Sequence, residues 1–149
     1  MALDCQPTWE DRHRSSQANI KRMTPTQIKT ALAQLGGGAN KRLGQHFLID
    51  PKVLEVIVTS ADIHLGDRVL EVGPGLGVLT RALLEKGAKV VAIEQDRRMV
   101  DYLQRSIPPL KIRGGAEGGG DRVVHGDAAV LDWHALLGEG AWKFVANLP

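Results

Sequence analysis

Glu71-Val72-Gly73-Pro74-Gly75-Leu76-Gly77 decides how the rest of this chain is read. The stretch follows a short apolar run, Val69-Leu70, and leads into a segment with helical periodicity. Glycine has no Cβ, so three of them at alternate positions let the backbone turn sharply and come close to a ligand. The helix beyond begins with free N–H groups and the positive end of its dipole, which favour polar or anionic groups. The reading is a ligand-binding turn between a strand and a helix.

Downstream, the pattern repeats. Arg68 to Val72 is predicted as the first strand, and Leu76 to Lys86 as a helix packed through Leu79, Leu83 and Leu84 and stopped by Gly87. Lys89 to Ile93 is almost wholly apolar, as a parallel strand covered on both faces must be, and it ends at Glu94. Arg97 to Ser106 is the next helix. Gly114-Gly115-Ala116-Glu117-Gly118-Gly119-Gly120 has too much backbone freedom to pack and precedes no helix, so it reads as a surface insertion. Arg122 to His125 is a third strand, followed by Gly126-Asp127-Ala128. Trp133 to Leu137 is a short helix, and Trp142 to Ala146 a buried fourth strand. Strands alternating with helices at this spacing imply an α/β fold with a doubly wound, mostly parallel sheet and a ligand at the carboxyl ends of its strands.

Upstream, Asp50 and Pro51 cap and start a helix whose apolar face is Val53, Leu54, Ile57 and Val58. Before it, Asn40-Lys41-Arg42-Leu43-Gly44-Gln45-His46-Phe47-Leu48-Ile49 is a basic loop turning apolar. A further helix runs from Thr24 to Leu35, with Thr24 and Gln27 as a capping box, Pro25 at its first position and Gly36-Gly37-Gly38 beyond its end. Residues 1–23 are polar and aperiodic. Residues 1–39 therefore form a leader and N-terminal helical arm, and residues 40–149 the ligand-binding domain. Ending on a core strand at Asn147-Leu148-Pro149, the sequence reads as C-terminally incomplete.

The 149 residues suffice for one domain with a core. No apolar run approaches the ~20 residues that cross a bilayer. With Cys5 as the sole cysteine no disulfide can form within the chain, which points to a reducing, cytoplasmic setting. The five histidines lack ligand spacing, so no metal is expected. Residues 1–49 carry seven Lys/Arg against three Asp/Glu, and residues 50–149 twelve against fourteen. A basic arm on a near-neutral domain fits a polyanionic partner such as nucleic acid, or simply a solvated tail.

Four features fall where a doubly wound sheet gathers its ligand contacts: the glycine turn after strand one, Glu94 after strand two, Asp127 after strand three and Asn147 after strand four. A carboxylate such as Glu94 can accept from both hydroxyls of a ribose, and Asp127 can accept from an adenine amine. The ligand is read as an adenosine derivative. Dinucleotide enzymes use G-x-G-x-x-G to admit a pyrophosphate. Here the spacing is G-x-G-x-G, which suits an adenosine without phosphate, such as S-adenosylmethionine, and disfavours a nicotinamide-dependent oxidoreductase.

Taken together, Arg42 to Leu48, Glu71 to Gly77, Glu94-Gln95-Asp96, Gly126-Asp127-Ala128 and Asn147-Leu148-Pro149 resemble the ribosomal RNA adenine dimethyltransferase family, in the same order, over residues 40–149. The resemblance implies that Gln45, His46 and Leu48 close over S-adenosylmethionine from the arm. Gly73 and Gly75 would approach its methionine part, Glu94 its ribose and Asp127 its adenine. Asn147, the Leu148 carbonyl and Pro149 would form the catalytic end, holding the exocyclic amine of a target adenine. It further implies methylation of two adjacent adenosines in small-subunit ribosomal RNA, with the immature small subunit as partner, no membrane, and a monomeric enzyme. Two relatives remain as alternatives, a large-subunit methyltransferase of the antibiotic-resistance type and a non-catalytic nucleic-acid-binding protein. The family's stacking aromatic and C-terminal helical domain lie beyond Pro149, so this stretch alone is expected to bind cofactor without turnover.

Overall fold

A computed structural model describes residues 22–36, 50–107 and 121–148. The elements follow the sequence closely: α1 Pro25–Gln34, α2 Pro51–Ser60, β1 Arg68–Val72, α3 Val78–Glu85, β2 Lys89–Glu94, α4 Arg97–Ser106, β3 Arg122–His125, α5 Trp133–Leu137 and β4 Lys143–Ala146. Local chemistry sets the helix starts. The Thr24 hydroxyl accepts from the Gln27 N–H while the Gln27 side chain accepts from the Thr24 N–H, closing the capping box. Asp50, Asp96 and Asp132 cap α2, α4 and α5 through their carboxylates.

The four strands are all parallel, in the order β3-β2-β1-β4. The chain moves outward from β1 through β2 to β3, then crosses back to the other side of β1. The β1–β4 boundary is thus the topological switch point, where a doubly wound sheet opens a crevice at its carboxyl ends. Successive strand residues face opposite sides of the sheet. Val69, Val90, Ala92, Val123 and Val145 join Ile28 and Ala31 of α1, Leu54 and Val58 of α2, Leu83 of α3 and Leu103 of α4 in one large core. Leu70, Val91 and Ile93 form a smaller core on the opposite face with Leu131, Trp133, Leu136 and Trp142.

Four expectations shift. α3 begins at Val78 rather than Leu76, because Gly77 takes a left-handed conformation (φ 76°) that cannot be helical and serves as the N-cap. Val53 is 44% exposed, because the buried stripe of α2 runs through Leu54 and Val58 and leaves Val53 on its flank. β4 begins at Lys143. Trp142 instead lies under the Arg68 guanidinium, 4.2 Å from ring centroid to Cζ. Nor is β4 buried on both sides: Val145 faces the large core, whereas Phe144 is 61% exposed and lies outside the smaller cluster. The glycine-rich stretch 114–120 lies outside the described residues.

Candidate functional site

The glycine turn stands at the carboxyl end of β1 with all three glycines at positive φ: 70° at Gly73, 55° at Gly75 and 76° at Gly77. Two of them also have a packing reason. A Cβ on Gly77 would lie 2.6 Å from Leu103 Cδ2 and 2.7 Å from Ile107 Cδ1, so this glycine lets α4 close against the start of α3. A Cβ on Gly73 would lie 3.0 Å from Leu148 Cδ2. The residues after β4 therefore sit directly over the glycine turn, as the pairing of Val72 with Ala146 requires. At the opposite, amino end of these strands Lys143 fastens β4 to β1, pairing with the Asp67 carboxylate at 2.9 Å and donating to the Asp62 carbonyl.

Glu94 is buried and clamped. Its Oε2 accepts from the Gly75 N–H at 2.9 Å, and its Oε1 from the Asp96 N–H at 2.8 Å. One carboxylate thus ties the glycine turn to the β2–α4 turn. Burial pushes its pKa up, opposed by these backbone donors. A carboxylate has about four lone-pair sites, more than its backbone donors fill, so acceptor capacity remains for a diol. Asp127 is built differently. It is exposed; Oδ1 accepts from the Ala129 N–H at 2.9 Å and Oδ2 from the Gln95 amide at 3.3 Å. The Gly126 N–H donates to the Glu94 carbonyl at 3.0 Å, so the β2 and β3 ends stay adjacent.

Glu71 belongs to the site, although the sequence reading quoted it and gave it no role. It is 1% exposed, on the large-core side of β1 immediately before the turn. Burial pushes its carboxyl up to about 8, with Thr80 on the first turn of α3 pulling the other way and neighbouring Glu94 adding to the rise. Glu71 Oε2 and Thr80 Oγ1 are both buried, and among the described residues neither has a partner of good hydrogen-bond geometry, although Thr80 lies near enough to favour the charged carboxylate. The signal was available: a carboxylate inside a buried parallel strand is anomalous wherever it occurs. Gln95, which orients Asp127, was likewise unassigned.

The structure brings Gly73, Gly75, Glu94, Asp127, Asn147 and Leu148 to one edge of the sheet. Asn147 is half-buried beside the glycine turn. Gln45, His46, Leu48 and Pro149 lie outside the described residues. The donor and acceptor set fits an adenosine with a phosphate-free linkage: spare acceptor capacity at Glu94, an open carboxylate at Asp127, and a glycine turn whose backbone is accessible where its side chains are missing.

A parallel doubly wound sheet with this constellation at its switch point defines an α/β protein of the Rossmann-like methyltransferase class. A model of the family described as ribosomal RNA adenine dimethylase matches residues 37–149, and the chain belongs to that family. A ribosomal RNA small subunit methyltransferase A from Magnetococcus marinus is 44% identical over 125 residues, covering 83% of this chain and 42% of the relative. Its counterpart from Opitutus terrae is 41% identical over 127 residues, covering 85% and 44%. The crystal structure of a dimethyladenosine transferase from Plasmodium falciparum superposes with a TM-score of 0.52 at 31% identity, over 70% of this chain and 34% of that one. The chain thus spans less than half the length of the curated relatives it matches.

Proposed function

We propose that this chain is the cofactor-binding part of an S-adenosylmethionine-dependent enzyme that methylates the exocyclic amine of adenine in ribosomal RNA, dimethylating two adjacent adenosines of the small subunit. Residues 40–149 carry the catalytic domain and residues 1–39 the arm. The observation that carries the reading is the Glu94 clamp: a buried carboxylate fixed between two turns, with acceptor sites to spare, beside an Asn-Leu end packed on the glycine turn. Membership of the family and the names of the relatives supply the substrate class.

On this reading Glu94 accepts from the ribose hydroxyls, and Asp127, oriented by Gln95, accepts from the adenine amine of the cofactor. Gly73 and Gly75 give the methionine part room against the backbone. Gln45, His46 and Leu48 close the site from the arm. The cofactor supplies a methyl group already activated by the sulfonium charge. The protein's task is then positioning. An adenine amine is a poor nucleophile because its lone pair is delocalised into the ring. Asn147 Oδ1 and the Leu148 carbonyl accept from its two N–H bonds and favour a more tetrahedral nitrogen, with Pro149 completing the catalytic motif. The target base must leave its stack to reach them. The partner is the immature small ribosomal subunit, and the enzyme works as a cytoplasmic monomer.

The test, made with the chain extended beyond Pro149 to the length of its relatives, is transfer of labelled methyl from S-adenosylmethionine to immature small-subunit particles and to large-subunit RNA. Label on the exocyclic amine of small-subunit adenines is expected. Label confined to large-subunit RNA would transfer the assignment to the antibiotic-resistance relatives, and tight RNA binding without label would assign the chain to the non-catalytic ones.

A further inference from the structure

Away from the strand ends, α1, α3 and α4 enclose a cleft of about 380 Å3 that shares no residue with the site described above. Arg81 of α3 and Tyr102 of α4 line it on one side, and Thr26, Gln27, Thr30 and Gln34 of α1 on the other. Arg81 is unusual. It is 8% exposed and lies between Thr80 and Ala82, both fully buried. Burying a guanidinium is costly unless it is paired and its donors are satisfied. Nη2 donates to the Ser106 carbonyl at 2.8 Å, but Nε is buried with no hydrogen-bond partner among the described residues. Glu85, one turn further along α3, is engaged by Arg22 at 2.7 Å, and none of the described residues lining the cleft is acidic. Burial pushes the Arg81 guanidinium down in pKa, with Tyr102 and Glu85 opposing.

The cleft therefore combines a cation that lacks a counter-ion at full strength with an array of hydroxyls and amides. The Tyr102 hydroxyl interacts with the Arg81 side chain and otherwise makes only a weak contact, 4.0 Å to the Met23 sulfur. Gln27 uses its amide oxygen on the Thr24 N–H, which leaves its NH2 to donate. The complementary ligand is an anion with several acceptor oxygens spread over a tetrahedron. The guanidinium fork matches phosphate oxygens in particular. The volume exceeds that of a bare tetrahedral ion and leaves room for a substituent. We infer that this cleft binds a phosphate ester, with Arg81 as its anchor and Tyr102, Thr26, Gln27 and Gln34 as supporting donors. The ester is either a free sugar phosphate or a phosphate of a polynucleotide backbone. The site stands on its own residues and does not depend on the methyl-transfer reading.

The test uses the full chain with ligands that carry no adenine, so that the strand-end site does not respond. Ribose 5-phosphate, inorganic sulfate and a short oligouridylate are titrated by calorimetry, with thermal unfolding followed in parallel at constant ionic strength. Saturable binding of ribose 5-phosphate or of the oligonucleotide is expected, weakened about tenfold by Arg81→Lys, which loses the fork but keeps the charge. Gln34→Leu, which leaves Arg81 and its Ser106 bond intact, is expected to weaken binding several-fold, and it decides the matter if Arg81→Lys does not fold. Binding of the oligonucleotide alone assigns the phosphate to RNA, and binding of the sugar phosphate alone to a free metabolite. No saturable binding, or stabilisation that sulfate matches and neither variant alters, overturns the inference.

Discussion

The carboxyl ends of β2 and β3 lie side by side and each presents one carboxylate, yet they are built in opposite ways. Glu94 is buried, fixed by two backbone N–H donors and pushed up in pKa by its burial. Asp127 is exposed, held by one N–H of its own turn and one side-chain amide. The first is part of the scaffold, since it fastens the glycine turn to β2. The second is a contact on the rim. A group that must bind a ligand and also hold the fold shows its double duty as burial and backbone bonding; a group that only binds shows neither.

This difference predicts unequal damage. Glu94→Ala removes the acceptor of two backbone donors together with the proposed ribose contact. Cofactor affinity is expected to fall about 100-fold and stability by about 1–3 kcal/mol, measured by calorimetry and denaturant unfolding. Retained stability with lost binding would reduce Glu94 to a rim contact like Asp127. Gly77→Ala asks whether the clamp needs the turn's own geometry. A Cβ at φ 76° meeting Leu103 and Ile107 is expected to cost about 2–3 kcal/mol, with weakened cofactor binding following from the shifted turn.

Glu71→Gln sharpens the β2 side further. In the folded chain Glu71 keeps its proton up to about pH 8, while the unfolded chain releases it near 4.5. Folding therefore takes up a proton within that window, and the stability of the wild type falls as pH rises through it. Glutamine cannot titrate, so the variant should lose that slope and gain on the wild type by on the order of 1–3 kcal/mol near pH 8. Parallel stability curves for the two proteins would show that Glu71 is ionised as it folds. Asp127→Ala is the smallest change: about tenfold in cofactor affinity, and less than about 0.5 kcal/mol in stability, since the side chain is exposed.

Much of this was legible in the sequence because its signals are local. The capping box at Thr24 and Gln27, the apolar run of β2 and the glycine spacing each determine their own surroundings. What escaped depends on contacts distant in sequence. Nothing near Gly77 says that Leu103 and Ile107 press on it, and nothing near Gly75 says that Glu94 reaches back to it. Phe144 was misjudged because alternation gives two faces without saying which has a cover. Glu71 is the exception. Its strand context suffices to mark it, because a carboxylate within a buried parallel strand is costly wherever it occurs.

The central claim is that the strand ends bind S-adenosylmethionine through a carboxylate that also holds the turn. Its most direct test is calorimetric titration of the full 149-residue chain and of Glu94→Ala with S-adenosylmethionine, and separately with NAD. Saturable one-to-one binding of S-adenosylmethionine is expected, weakened about 100-fold in Glu94→Ala, with no binding of NAD. Binding of NAD alone, or S-adenosylmethionine bound equally well by both proteins, would contradict it.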